Sequence, residues 1–368
     1  MDWGNRSLVV IPMERIMLKR LMRLKSAACA VLLYAFTVSC LPTLPGRAND
    51  YWLEPENAEE FESEPQLQSE RSRYLQVDTV LLGFRMAASD QPVVIRSVDE
   101  NNTYPGPTLI NTTDVMLGFQ AGPQITWGAL NEQGDGWETR YFSLLGGGQQ
   151  AVATGDNDVS LPGSLGLNSI SFFNADQISV AAVGDLHSIE LNRLRQWGGL
   201  TFSAGLRYVR LYDRMTIKSD DNETDTFAVY DLKTANNLFG GQLGVRRDGG
   251  AGRLRWQAGA KVGLYGNAST HNQSITDFPN PEPPFFLREW CPRSNGGLAF
   301  VGEMEFGLTY AISAHWSIRG GYRMLWMEGV GLSANQLNFA DVPSLDIGFS
   351  TAGGVFLQGA SVGFEAAW

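Results

Sequence analysis

A chain of 368 residues, 43% hydrophobic and 18% charged, is too apolar for disorder and long enough to bury a sizeable core. Its 41 glycines and 11% aromatic content describe a strand-rich protein with many turns rather than a helical membrane protein. A net charge of -11 excludes a broad electrostatic affinity for nucleic acid, so no DNA or RNA partner is expected.

Near the N-terminus Lys19, Arg20, Arg23 and Lys25 precede an apolar run from Ser26 to Leu41 that is too short for a membrane helix. The run reads as a secretory signal. Gly46 and Ala48 supply the small residues of a cleavage site after Ala48, which makes 1–48 a removed segment, with Met13, Met17 and Met22 as alternative starts. A lipid anchor on Cys40 is disfavoured by Thr37, which occupies a position where leucine is usual. Cleavage leaves Cys291 as the one cysteine, so neither an intramolecular disulfide nor a thiolate zinc site is expected. It reads as an inert loop cysteine. Residues 49–72 hold seven glutamates and few apolar side chains; like charges at that density read as a flexible acidic leader.

From residue 73 onward the sequence alternates in segments of the length a tilted strand needs to cross a bilayer, about 9 to 11 residues. The first is Arg73 to Arg85. Gln124 to Leu130 turns through Asn131 to Gly136 into Trp137 to Leu145, where Trp137, Thr139 and Tyr141 alternate with Glu138 and Arg140. Ile178 to Arg195 turns into Leu200 to Ile217, whose Leu200, Phe202, Ala204, Leu206 and Tyr208 share one face. Phe227 to Arg246 is followed by Arg253 to Asn267, with Leu254, Trp256, Ala258, Ala260, Val262 and Leu264 predicted to meet lipid. Leu298 to Tyr310 and Trp316 to Met327 form another hairpin, in which inward Glu303 and Glu305 are predicted to face Arg319 and Arg323. The last segment, Thr351 to Trp368, places Phe356, Val362, Phe364 and Trp368 on one face.

Ten strands result, growing to twelve or fourteen if Ala88 to Met116 and Gly146 to Asp176 hide others. A strand set that is apolar outside and polar inside predicts an all-β, antiparallel transmembrane β-barrel over 73–368. Ala268 to Gly297, rich in proline at Pro279, Pro281, Pro283 and Pro284, is predicted to be a large extracellular loop. A final aromatic at the lipid-facing parity also resembles the C-terminal signal of bacterial outer-membrane barrels. That likeness implies the outer membrane, its lipid, and the barrel-assembly machinery engaging Trp368.

Several phrases go further: His187 to Asn192, Gly205 to Tyr208, Tyr230 to Gly244, Lys261 to Asn267, and Ala299 to Gln336 ending in GYRMLWMEGVGLSANQ. In order and spacing this stretch, Gly184 to Gln336, resembles the seventh-numbered family of β-barrel porins found in planctomycete bacteria. The region before Gly184 matches weakly, and the acidic leader has no counterpart. What the resemblance implies is an outer-membrane barrel with a porin role and no cofactor.

Candidate chemistry is sparse. Asp185, His187 and Ser188 invite comparison with barrel hydrolases, but neighbours in a strand alternate faces, so His187 and Ser188 point apart and His187 reads as an interfacial residue. His271 and His315 read as isolated loop or turn residues, and no spacing resembles a metal cage. The glycine runs at Gly146 to Gly148 and at Gly240 with Gly241 lack the lysine of a phosphate loop and read as turns or lumen clearance. One constellation remains, the inward set Glu190, Arg207, Arg255, Lys261, Glu303, Glu305, Arg319 and Arg323. Charged rings of this kind bias which ions cross a pore. The expectation is therefore a non-enzymatic, porin-like path for small hydrophilic solutes or ions. The alternatives are a structural or adhesive surface barrel with a plugged lumen packed with salt bridges, and a hydrolase acting through His187.

Overall fold

The computed structural model describes residues 72–87, 90–98, 103–115, 117–169, 171–221, 226–279, 283–341 and 348–368. The expected signal at 1–48 and nearly all of the expected acidic leader at 49–72 lie outside the described residues. Twelve strands follow in chain order: β1 (Ser72–Ala87), β2 (Pro92–Arg96), β3 (Thr108–Asn111), β4 (Phe119–Leu130), β5 (Gly136–Ser160), β6 (Ala175–Trp197), β7 (Leu200–Asp221), β8 (Thr226–Ala251), β9 (Leu254–Phe278), β10 (Phe285–Ala311), β11 (Trp316–Val330) and β12 (Gly353–Ala367). A short helix, α1 (Gly163–Asn168), lies between β5 and β6.

Ten of these strands close a ring. β1 pairs with β4 on one side and β12 on the other, β5 pairs with both β4 and β6, and antiparallel pairing continues from β6 to β12. Closure leaves these strands with neighbours on both sides, which removes the edge problem of an open sheet. The small strands β2 and β3 pair with each other and with the far end of β5, so they stand beside the ring rather than in it. They account for the extra strands anticipated between Ala88 and Met116; the corresponding stretch from Gly146 continues β5 and then forms α1.

Strand ends divide into two rims. On the rim holding Trp368 the connections are short, including a two-residue turn at Gly198 and Gly199 whose φ angles of 59° and 78° are both left-handed, the conformation a tight hairpin needs and glycine supplies at no steric cost. Arg73 and Trp368 exchange backbone hydrogen bonds of 2.8 and 2.9 Å there. On the opposite rim the connections are longer and carry β2, β3, α1 and residues 331–341. A bulge in β5 shifts the register between Leu144 and Gly147, with Gly146 at φ 58°.

The outward faces of the lower wall are apolar. Leu206, Leu243, Leu264, Met304, Ile318, Val362 and Phe364 are all exposed on the outside, with Trp127, Trp197, Tyr310, Trp316 and Trp368 nearer the short-turn rim. The sets Leu200 to Tyr208 and Leu254 to Leu264 therefore face out as their alternation predicts. Further from the short turns the outward positions become polar, as in Thr270, Asn272 and Ser274 of β9.

Two expectations fail. The segment from Ala268 to Gly297 is not a large loop: β9 runs on to Phe278 and β10 begins at Phe285, paired through a bulge near Arg288. The interior is also not polar throughout. Above the charged positions the inward side chains turn apolar, and Leu82, Phe142, Leu186, Leu211, Leu325 and Leu357 pack with Val94 of β2, Ile110 of β3 and Leu332 into one buried cluster. The long-rim half thus has a core like that of a soluble protein, enclosed by the wall.

Candidate functional site: the lumen

All eight charged residues singled out from the sequence point inward, and the ring brings six of them together. Arg207 donates to Glu303 at 2.7 Å from a side chain that is 1% exposed. Arg323 lies 3.3 Å from Glu303 and 3.4 Å from Glu305, and Lys261 reaches Glu190 at 2.9 Å. Glu190 also accepts from Asn192 and Gln242, while Ser188 accepts from Arg207 Nε at 2.9 Å.

Arg140 completes this layer, though it is not one of the eight inward charges read from the sequence. It sits opposite Glu190 in register and crosses the lumen to Glu305 at 2.8 Å and Glu303 at 3.2 Å. Glu138, two residues away on the same face, takes Tyr74 at 2.7 Å and Arg246 at 3.4 Å. Their alternation with Trp137 and Tyr141 marks Glu138 and Arg140 as inward, so the signal was present; only the partner set depended on closure.

Arg255 and Arg319 belong to a second, separate group near the Trp368 rim. Arg319 does not face the acids of its own hairpin; it lies 3.4 Å from Asp78 and 3.9 Å from Glu365, and Arg255 donates to Glu365 at 2.9 Å. Arg319 is opposite Thr309 in register, four residues along the strand from the Glu305 and Arg323 pair.

Opposite charges held this closely in a low-dielectric interior offset much of each other's desolvation. They also fill space. A ring of about eight strands leaves an interior just wide enough for side chains, and ten strands add little. One cavity of about 20 Å³ lies beneath the layer against Glu138, Arg246, Lys261, Glu303 and Glu305, room for about one water.

Above the layer, residues 329–341 at and beyond the end of β11 fold into the mouth and are held by buried polar side chains of four strands. Asp213 of β7 accepts from both the backbone N–H and the hydroxyl of Ser333, each at 2.6 Å. Asn236 of β8 donates to Gly331 O and accepts from Gly331 N–H at 2.8 and 2.7 Å. Asn267 of β9 donates to Gly329 O, and Arg288 of β10 donates to the carbonyls of Asn338 and Ala340. Burial pushes the Asp213 carboxyl up from its ordinary pKa, against the downward pull of the Ser333 hydrogen bonds. These anchors were invisible in the sequence because each is a single polar residue whose partner is a distant backbone group.

The hydrolase constellation is not assembled. His187 lies on the outer wall, stacked on Tyr141 with its Nδ1 3.1 Å from the phenol oxygen and its Nε2 3.9 Å from Asp185, whereas Ser188 is inside. His271 is not a loop residue: it faces inward from β9, buried against Phe349, with Nδ1 3.2 Å from Lys233 O. Burial, with the Arg293 charge, lowers its pKa to about 4 against the raising effect of the Lys233 carbonyl. Cys291 is likewise a buried strand residue. Among the described residues, no group of three or more His, Cys, Asp or Glu side chains could hold a metal ion.

No family model matches the sequence, and no curated protein matches it. The resemblance of Gly184 to Gln336 to the planctomycete porin family thus finds no support there. Solved structures similar to this chain include the neisserial surface protein NspA, at 11% identity and a TM-score of 0.25, with 80% of this chain and 96% of that one covered. A Pseudomonas aeruginosa FadL homologue matches at 9% identity and a TM-score of 0.26, covering 81% and 90%. Ail, the attachment invasion locus protein of Yersinia pestis, matches at 9% and 0.20, covering 80% and 99%. With likenesses at this level, the barrel assignment rests on the closed hydrogen-bond ring itself.

Proposed function

We propose that this chain is an integral barrel of a bacterial outer membrane whose lumen is sealed, a membrane-embedded surface scaffold rather than an open diffusion pore. The membrane reading is supported by the outward apolar belt: a water-soluble barrel would leave Leu206, Leu243, Leu264 and Phe364 in water at a large hydrophobic cost. Short turns on the rim holding Arg73 and Trp368, and longer connections on the other, fit a periplasmic and an extracellular side respectively.

One observation carries the choice between an open pore and a plugged barrel. The cross-lumen layer of Arg140, Arg207, Arg323 and Lys261 with Glu190, Glu303 and Glu305 is capped by an apolar cluster into which the 331–341 segment is tied. Solvated ions would have to cross both. Charges that neutralise one another present little net field to a passing ion, unlike a ring of one sign.

The test is conductance of the refolded full chain in planar bilayers. A sealed scaffold gives a flat baseline despite insertion verified by protease protection. Discrete, long-lived steps in the unmodified protein would restore the porin reading.

A further inference from the structure

The lower wall separates its charges by side. On the short-turn half every carboxylate among the described residues either faces the lumen, as Asp78, Glu138, Glu190, Glu303, Glu305 and Glu365 do, or sits at or beside a turn, as Glu132, Asp135 and Asp248 do. The outward face of the same half carries arginines. Arg193 and Arg195 of β6 alternate with inward Asn192 and Leu194, so both emerge on the lipid side, exposed and with no ion pair to a described residue. Arg193 is opposite Trp137, and Arg195 is opposite Phe202, whose ring lies 6.2 Å from Trp197. Arg247 continues the group along the rim, opposite Leu200, which itself pairs with Trp197.

A guanidinium on a lipid-facing wall is costly at mid-bilayer and cheap only where it reaches headgroups. Arg193 and Arg195 stand just inside the short-turn rim, among the interfacial aromatics, so extended side chains reach that headgroup layer. The outward acid of the same strand, Asp185, is eight residues from Arg193 and lies beside His187, so among the described residues no nearby carboxylate answers the arginines and the anion must come from outside the protein. A guanidinium fork matches phosphate oxygens bidentately, which a lysine would not do.

We propose that Arg193 and Arg195, with Arg247 at the edge, bind the phosphate of an anionic phospholipid in the leaflet beside the short turns. Trp137, Trp197 and Phe202 flank its glycerol and upper acyl region. This inference rests on the membrane reading above. It goes beyond it by assigning one stretch of the wall a preferred lipid.

The experiment is native mass spectrometry of the full chain released from bilayers of equal phosphatidylglycerol and phosphatidylcholine. The wild type should retain phosphatidylglycerol over phosphatidylcholine by about fivefold or more, since each arginine near an anionic surface is worth roughly that factor. Arg193→Gln with Arg195→Gln should bring the ratio close to one, whereas Arg210→Gln on the opposite, long-rim side should leave it unchanged. Equal retention of the two lipids by the wild type, or an undiminished ratio in the double variant, overturns the proposal. If the double variant does not insert, the wild type decides alone: its preference must collapse as salt is raised, and persistence at high salt counts against an arginine site. A wild-type protein that does not enter the mixed bilayer and retains no lipid of either kind refutes the membrane reading instead, a distinguishable result.

Discussion

Arg207 and Glu303 meet at 2.7 Å although 96 residues separate them, and each side chain is 1% exposed. Removing one member of such a pair strands a charge that its neighbours answer only in part. Glu303→Gln and Arg207→Met should each destabilise the barrel by about 3 to 5 kcal/mol, and the double variant should recover much of that loss. A double-mutant cycle on urea unfolding in lipid vesicles measures the coupling. Independent, additive losses would mean that the layer does not act as a unit.

The mouth segment hangs on Asp213. Replacing it by alanine leaves the Ser333 N–H and hydroxyl without their acceptor and should loosen 331–336, visible as faster amide exchange there. Because the ionic layer persists beneath, Asp213→Ala alone should add brief conductance flickers at most; combining it with Arg140→Ala should give sustained current. An unchanged exchange pattern in Asp213→Ala would show that the apolar cluster alone holds the segment.

Protonation of His271 supplies a pH dependence with a definite sign. Its pKa in the folded barrel is about 4, below the ordinary 6.5, because burial and the Arg293 charge outweigh the Lys233 carbonyl. A depressed folded value means that its contribution is fully present above pH 6.5 and is lost as pH falls through about 4, worth up to about 3 kcal/mol. Stability followed from pH 7 to 4 should therefore decline less steeply in His271→Phe, which keeps the stacking partner for Phe349 without a titrating ring.

Depth along the outer wall makes a further test. Leu206→Arg, in the apolar belt, should cost about 2 to 4 kcal/mol in lipid, whereas Thr270→Arg, outward on the long-rim extension of β9, should cost little. Equal penalties at the two positions would argue that neither contacts hydrocarbon.

Where both faces kept their character, the strands were legible. Leu200 to Tyr208 alternates with Thr201, Ser203, Gly205 and Arg207, and all ten ring strands carry at least one such run. Legibility ended where the wall leaves the apolar belt. From Gly266 onward β9 presents Ala268, Thr270 and Asn272 outward and Ser269, His271 and Gln273 inward, so neither face differs enough in polarity to register as a strand, and the prolines at 279–284 drew the loop too wide. The charged site was half legible for a related reason. Parity marks which side chains turn inward, but whether Arg319 meets Glu305 or Asp78 depends on how the ring closes, and no local pattern carries that.

The unequal strand lengths make the exposed rim lopsided. Strands β5 to β10 reach far beyond the belt, while β1, β4, β11 and β12 stop early and leave room for the connections that fold over them. From Leu264 to Phe278 the ninth strand rises roughly 35 Å past the last greasy position, allowing for tilt. The described strand ends at Asp221, Thr226, Phe278 and Phe285 therefore crown a stiff parapet, and on the orientation proposed above they stand farther from the bilayer than any other part of the wall.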